Sequence, residues 1–134
     1  MGSFADYLEL EILDHVFGAA TFSAAATLHI GLSTTTITDA GGNITEPVGG
    51  SYARVAVDND KVTWSDAASG ALSNDIEFTF PEATGSWGTV IDFFISDAAS
   101  GGNIYCYGTL AVAKTIDSGD TAKFEVGDFD ITLD

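Results

Sequence analysis

The chain has 134 residues, a length that fits one domain able to bury a core without disulfides. Twenty Asp and Glu residues against four Lys and Arg residues give a formal net charge of −16, which argues against nucleic acid or an anionic membrane as partner, because binding either needs basic side chains. The single cysteine, Cys106, excludes an intrachain disulfide. Apolar residues make up 46% of the chain, which is typical of folded domains rather than disordered chains.

Residues 1–18 contain the clearest helical pattern of the chain. Apolar residues recur there at helical spacing, with acidic residues between them: Phe4, Leu8, Ile12, Leu13, Val16 and Phe17. Ser3 and Asp6 have the spacing of a capping box, and Gly18 is a natural place for a helix to end. We expect an amphipathic helix over residues 1–18 that packs against its own domain; in the alternative, its apolar stripe packs against a neighbouring protein.

Residues 19–134 are divided by turn residues into short runs that are rich in β-branched and aromatic side chains. The predicted strands are residues 27–33, 52–57, 62–64, 76–80, 89–95, 103–115, 121–126 and 129–133. Residues 89–95 are apolar on nearly both faces, as is typical of a central strand. The last two strands are out of phase across Gly127, which predicts a hairpin or a bulge there. The predicted fold class is mainly β: an antiparallel β-sandwich of about eight strands with one N-terminal α-helix, in a single domain.

Residues 34–50 form a long loop rich in Thr and Gly between the first two strands. A loop of this length in a compact domain is usually functional or mobile. We therefore expect the loop and the helix to supply the contacts with a partner. The candidate partner contacts are Phe4, Leu8, Ile12, Asp39, Asn43, Glu46 and Pro47.

No motif in the chain indicates catalysis or cofactor binding. The two histidines, His15 and His29, have no nucleophile motif around them, and we expect both to be structural or surface residues. Paired carboxylates could meet across a cleft, but two tryptophans supply few of the aromatic platforms that sugar-cleaving sites use. We therefore expect no catalytic residue, no cofactor and no enzymatic activity.

Turns rich in Asp and Asn are the best candidates for a metal site. Asp58-Asn59-Asp60 and the turn between Asp117 and Asp120 offer the hard oxygen ligands that Ca²⁺ prefers. Neither turn has the spacing of an EF-hand loop, and such residues ordinarily bond to the backbone of their own turn. We expect no metal site, with calcium at these turns as the open alternative.

Several segments of the chain together resemble a known family. They are residues 5–9 (ADYLE), 12–16 (ILDHV), 28–32 (LHIGL), 50–54 (GSYAR), 80–84 (FPEAT), 87–89 (WGT), 95–103 (ISDAASGGN), 119–120 (GD) and 131–134 (ITLD). Each is weak alone, but the combination spans nearly the whole chain. It resembles small virion proteins of tailed bacteriophages, commonly labelled tail fibre proteins, some of which serve as capsid cement or decoration proteins.

The resemblance implies a non-enzymatic structural protein of the virion. Because no signal peptide or transmembrane run is visible, we expect synthesis in the host cytoplasm. The chain also lacks the coiled-coil heptads and repeats of a fibre shaft. We therefore favour a cement protein on the capsid surface that binds the major capsid protein, as the homotrimer that the resemblance implies.

The alternative position is the tail, as a fibre component that binds tail proteins or a host surface glycan. Glycan binding would use Trp87 or Tyr52 as an exposed stacking platform. Ordinary packing would instead bury Trp87 beside Phe80, and we favour this second arrangement because large aromatic residues between strands are usually buried.

Overall fold

Nine β-strands and one α-helix form the part of the chain that the computed structural model describes, residues 3–133. The elements are β1 (Ser3–Phe4), α1 (Asp6–Phe17), β2 (Thr27–Ser33), β3 (Val55–Asp58), β4 (Ala71–Ser73), β5 (Phe78–Thr79), β6 (Gly88–Ser96), β7 (Ile104–Ile116), β8 (Lys123–Phe124) and β9 (Asp130–Thr132). All strand pairs within this part are antiparallel. The predicted fold class, mainly β with antiparallel sheets and one N-terminal helix, is confirmed.

Five strands make the main sheet, in the order β1-β7-β6-β2-β3. β6 lies at its centre, as its sequence predicts, because Val90, Phe93, Phe94 and Ile95 are all buried and both edges of the strand are paired. Two further pairs, β4 with β9 and β5 with β8, form separate two-stranded ladders. The strands are therefore grouped as one sheet and two small ladders.

One face of the main sheet packs against the ladders around an aromatic cluster. Phe78, Phe124 and Phe129 meet edge to face, and the ring centroids of Phe124 and Phe129 are 4.6 Å apart. Ile30 and Val90 of the main sheet belong to the same core and are fully buried. Because burial of each such side chain contributes about 1.5–3 kcal/mol, this core is a major source of stability.

The opposite face of the main sheet is covered by residues 34–50. Phe94 points to this side, since it alternates with Phe93 along β6, and it packs with Ile37 and Ile104 in a second, smaller core. The ring of Phe94 lies over Gly31, where an added Cβ would stand 2.2 Å from Cζ of the ring. Position 31 therefore has no room for a side chain.

The helix begins later than predicted, because a short strand precedes it. β1 pairs with β7, so Phe4 lies in a strand and is not part of a helical stripe. The N–H of Ala5 donates to the carbonyl of Tyr105 at 2.9 Å, and the backbone of β7 thus holds this segment extended. Residues 1 and 2, which the sequence places in the helix, lie outside the described residues.

The two ends of α1 differ in how well the sequence predicts them. Ala5 is the N-cap and no side chain caps the helix, so the predicted capping box of Ser3 and Asp6 is wrong. The predicted end at Gly18 is confirmed, and its N–H donates to the carbonyl of Asp14 at 2.9 Å.

Several predicted strands are shifted or absent. Residues 62–64 do not form a strand, because Oδ1 of Asp60 accepts the N–H groups of Val62 (3.0 Å) and Thr63 (2.9 Å) and closes a turn. The predicted strand of residues 52–57 corresponds to β3, which begins later, at Val55. The predicted strand of residues 76–80 corresponds to β5, which has only two residues. β4, which the sequence did not indicate, forms by pairing with β9.

The last two strands do not pair with each other, so the predicted hairpin or bulge at Gly127 is wrong. β8 pairs with β5, and β9 pairs with β4. The chain turns between the two ladders, where Oδ1 of Asn74 accepts the N–H groups of Gly127 (3.1 Å) and Phe129 (2.9 Å). The buried side-chain amide of Asn74 therefore explains why the apolar positions of the last two predicted strands are out of phase.

Candidate interaction surface

Residues 34–50, the predicted contact loop, are pinned to the main sheet. Oγ of Ser33 accepts the N–H groups of Thr35 (3.2 Å) and Thr45 (3.1 Å). The N–H of Ile37 donates to Oδ2 of Asp92 at 2.7 Å, and Asp92 is 1% exposed. Side chains of β2 and β6 thus hold the loop near both of its ends.

The predicted contact Glu46 binds inside the chain. Its carboxylate accepts two hydrogen bonds from the guanidinium of Arg54, at 2.9 Å from Nε and 2.8 Å from Nη2. Arg54 is 5% exposed, donates also to the carbonyls of Ala98 and Gly101, and lies 4.8 Å above the ring of Phe94. This ion pair therefore ties the loop to β3 and to the turn that follows β6.

The other loop candidates also serve the fold. Oδ1 of Asp39 accepts the hydroxyl of Tyr107 at 2.9 Å, and burial together with this bond raises the pKa of Tyr107. Nδ2 of Asn43 donates to the carbonyl of Thr36 at 2.7 Å, and Pro47 is buried. Their role as partner contacts stays a prediction, and their internal bonds turn attention to the helix.

The inner side of α1 packs lightly on the domain, and no residue of the helix is buried. Tyr7 stacks on Tyr105 with ring centroids 6.0 Å apart. Leu8 packs against the main core and is half-buried. Ile12 is also half-buried. The expected packing of the helix on its own domain therefore holds for this side.

The opposite side of α1 carries four large apolar residues that face solvent. We call them the outer stripe: Leu10, Leu13, Val16 and Phe17. Their exposed fractions are 63%, 54%, 61% and 83% respectively. Because these positions lie on one side of a helix, the stripe is a continuous surface. Exposed apolar surface of this kind is a candidate interaction site.

A groove of about 420 Å³ extends this surface towards the end of β9. Phe4, Ile12 and Leu13 line one side of it, and Thr132 and Leu133 line the other. Leu133 is 60% exposed. Two predicted contacts, Phe4 and Ile12, therefore share a surface with the outer stripe.

The charged side chains that α1 itself carries are all acidic. The helix carries four acidic residues, Asp6, Glu9, Glu11 and Asp14, and the first Lys or Arg of the chain is Arg54. Since Arg54 is buried against Glu46, it does not offset this charge at the surface. The outer stripe is thus an apolar patch on an acidic element.

The sequence matches a family model described as podophage GP4 fiber I protein gp80, over residues 3–132. The chain belongs to this family. A search of curated proteins found no match. Since the fiber I family consists of phage fibre proteins, the chain is a structural component of the phage virion, and the resemblance to tailed-phage virion proteins is confirmed.

Trp87 of this fiber I family member does not form a stacking platform for glycans. It is 3% exposed, its Nε1 donates to the carbonyl of Gly50 at 2.8 Å, and it packs beside Phe80 as expected. Tyr52 meets Trp87 edge to face and donates its hydroxyl to Glu46 at 2.8 Å. Burial raises the pKa of Tyr52 well above its usual range. The platform alternative is therefore wrong for Trp87.

The Asp-rich turns use their carboxylates to close the backbone. The hydrogen bond from the N–H of Thr63 is the main cause that lowers the pKa of Asp60. Oδ2 of Asp120 accepts the N–H of Asp117 at 2.9 Å. Across residues 3–133, no three His, Cys, Asp or Glu side chains lie close enough together to hold a metal ion.

The two histidines and the cysteine are not part of a candidate metal or catalytic site in residues 3–133. Nδ1 of His15 is 3.1 Å from the carbonyl of Ala20, and His29 is half-buried in β2. Burial raises the pKa of Cys106 to about 12, so its thiol is unreactive at neutral pH. In the described part of the chain, no helix is long and apolar enough to cross a membrane.

Sequence reasoning placed Leu13, Val16 and Phe17 in the apolar stripe of the helix, but it named Phe4, Leu8 and Ile12 as the contacts and left out Leu10. One signal of the exposed surface was available in the sequence. The apolar residues of α1 are too widely spread around the helix for all of them to pack against one domain. Which of these positions face the domain depends on the pairing of β1 with β7 next to Ala5, and no sequence pattern predicts that pairing.

Proposed function

We propose that the chain is a structural subunit of the phage fibre, and that the outer stripe of α1 holds it to a neighbouring virion protein. The observation that carries the proposal is the exposure of the stripe, 54–83% for four large apolar residues. Family membership supports the fibre as the setting. Covering the stripe is favourable, because each Å² of apolar surface removed from water contributes about 25 cal/mol.

The charge and the apolar character of this surface indicate which kind of partner would fit it. The helix contains four Asp and Glu and no Lys or Arg, so the stripe lies on an acidic element. A partner that is apolar at its centre and basic at its rim complements this surface and associates faster than a neutral one. A second copy of the chain would bring the same negative charge to the contact, so a different virion protein fits better.

The family description favours the fibre over the capsid surface. The cement role on the capsid surface is the second candidate, and its partner would be the major capsid protein. The mechanism is the same in both positions. Because the chain binds the assembled particle rather than free subunits, it shifts the assembly equilibrium towards the particle.

Imaging intact virions with a gold-labelled antibody against this chain distinguishes the two positions. The proposal expects label confined to the tail vertex. Label at regular positions over the whole shell would refute the fibre assignment and select the cement role. Particles purified from a phage that lacks the gene provide the control for non-specific label.

A further inference from the structure

β7 has a long edge that no described strand covers. β1 pairs with β7 at Cys106 and Tyr107, and β6 occupies the other edge. Among residues 3–133, no strand pairs with the outer edge of residues 110–115. The backbone N–H and C=O groups of such an edge form a ready template for another strand.

The pairing with β6 is also loosest along this segment. Residues 110–113 lie opposite the single residue Ile91, so four residues of β7 face one residue of β6. The segment is apolar, and Val112 in its middle is 65% exposed. The irregularity disrupts the ladder with β6, so this segment has fewer partners within its own sheet than the rest of β7.

A groove of about 510 Å³ runs beside this edge. Leu32, Val90 and Ile116 form an apolar floor, and residues 120–124 form the opposite wall. That wall contains β8, whose described partner strand is β5 alone. The groove therefore lies between two strands that each have an uncovered edge.

The groove is electrically neutral although the chain has a net charge of −16. Its charged lining consists of Lys114, Lys123, Asp120 and Asp128, which is two positive and two negative residues. Lys114 takes part in none of the ion pairs found in residues 3–133. A second copy of so acidic a chain is therefore repelled less at this edge than at α1, which carries four acidic residues and no Lys or Arg.

We propose that β7 of one copy pairs with β7 of a second copy, antiparallel and about a two-fold axis. Each copy contributes five strands, so the pair forms one continuous sheet. A register centred on Val112 places Lys114 opposite Leu110 of the second copy. The two Lys114 residues are then about 14 Å apart along the strands, which exceeds the Debye length of about 8 Å at physiological salt.

Sedimentation equilibrium of the purified chain tests this pairing. We expect a concentration-dependent dimer that salt strengthens, since added ions screen the repulsion between two acidic copies. Val112→Glu and Val112→Lys each weaken the dimer at least tenfold, because like charges then face each other across the axis. An equimolar mixture of the two variants restores dimerisation.

The matched control is Val62→Glu, which adds the same charge at a turn where the valine is 73% exposed. It leaves the dimer unchanged. A chain that stays monomeric at millimolar concentration in high salt would overturn the proposal. So would a Val112→Glu variant that associates as well as the control, a mixture that fails to restore the dimer, or a trimer insensitive to substitutions at Val112.

Discussion

The loop of residues 34–50 and the helix α1 are both predicted contact regions, yet the fold uses them in opposite ways. The loop residues Asp39, Asn43 and Glu46 bond to other parts of the same chain. The outer stripe of α1 leaves more than half of each side chain in solvent. Long polar loops can therefore be structural, whereas apolar side chains that remain exposed indicate a partner.

Removing the cation that holds the loop has the largest expected effect on stability. Arg54→Ala lowers the free energy of unfolding by about 3–5 kcal/mol, because it removes the cation from the largely buried carboxylate of Glu46 and leaves that carboxylate only the hydroxyl of Tyr52. Urea denaturation measures the change. The matched control is Lys61→Ala, whose exposed pair with Asp66 is 3.8 Å long and contributes less than about 1 kcal/mol. Equal effects of the two substitutions would show that the pair of Arg54 and Glu46 does not hold the loop.

Asp92→Ala is expected to loosen the loop with a smaller effect on stability. The substitution removes the acceptor for the N–H of Ile37 and costs about 1–3 kcal/mol. Asp92→Asn keeps an acceptor oxygen for the same N–H and recovers part of the loss. Hydrogen exchange of residues 34–50 is the readout, and unchanged protection in the alanine variant would contradict the assigned role of Asp92.

An exposed ion cluster on the β5–β8 ladder gives the smallest expected effect, and it lies outside both contact regions. The hydrogen bond from Thr79, followed by that from Lys123, lowers the pKa of Glu77 from 4.5 to about 2. Because the pKa in the folded state is the lower one, this carboxylate stabilises the fold fully above pH 4.5 and loses that effect as the pH falls towards about 2.

Thermal unfolding at a series of pH values measures the contribution of Glu77. The melting temperature of the unmodified chain should fall more steeply below pH 4.5 than that of Glu77→Gln. Glu82→Gln, at an exposed glutamate that follows Pro81, serves as the control. Parallel curves for the unmodified chain and Glu77→Gln would rule out the assigned cluster.

The central strands could be predicted from the sequence, whereas two short strands, β1 and β4, could not. β2 agrees with the predicted residues 27–33, where apolar residues alternate, and β6 contains the predicted 89–95, whose apolar run marks a strand buried on both faces. β1 and β4 have two and three residues, too few for a pattern. They form because distant backbone edges pair with them.

Single polar side chains explain the other differences from the prediction. Nδ2 of Asn74 donates to the carbonyls of Ile76 and Glu125, while its Oδ1 accepts two N–H groups after β8. Nothing in the local sequence distinguishes this asparagine from an ordinary turn residue. The outer stripe is similar, since its spacing predicts a helix face but not whether that face is covered.

The most direct test of attachment through the outer stripe is the incorporation of a helix variant into virions. Leu13→Glu combined with Phe17→Glu changes stability by less than about 0.5 kcal/mol, because both side chains are mostly exposed. The control combines Val62→Glu with Val126→Glu, two valines that are 73% and 61% exposed, and it adds the same charge elsewhere. We expect the helix variant to be incorporated at least tenfold less than the control. Equal incorporation of the two folded variants would contradict attachment through α1.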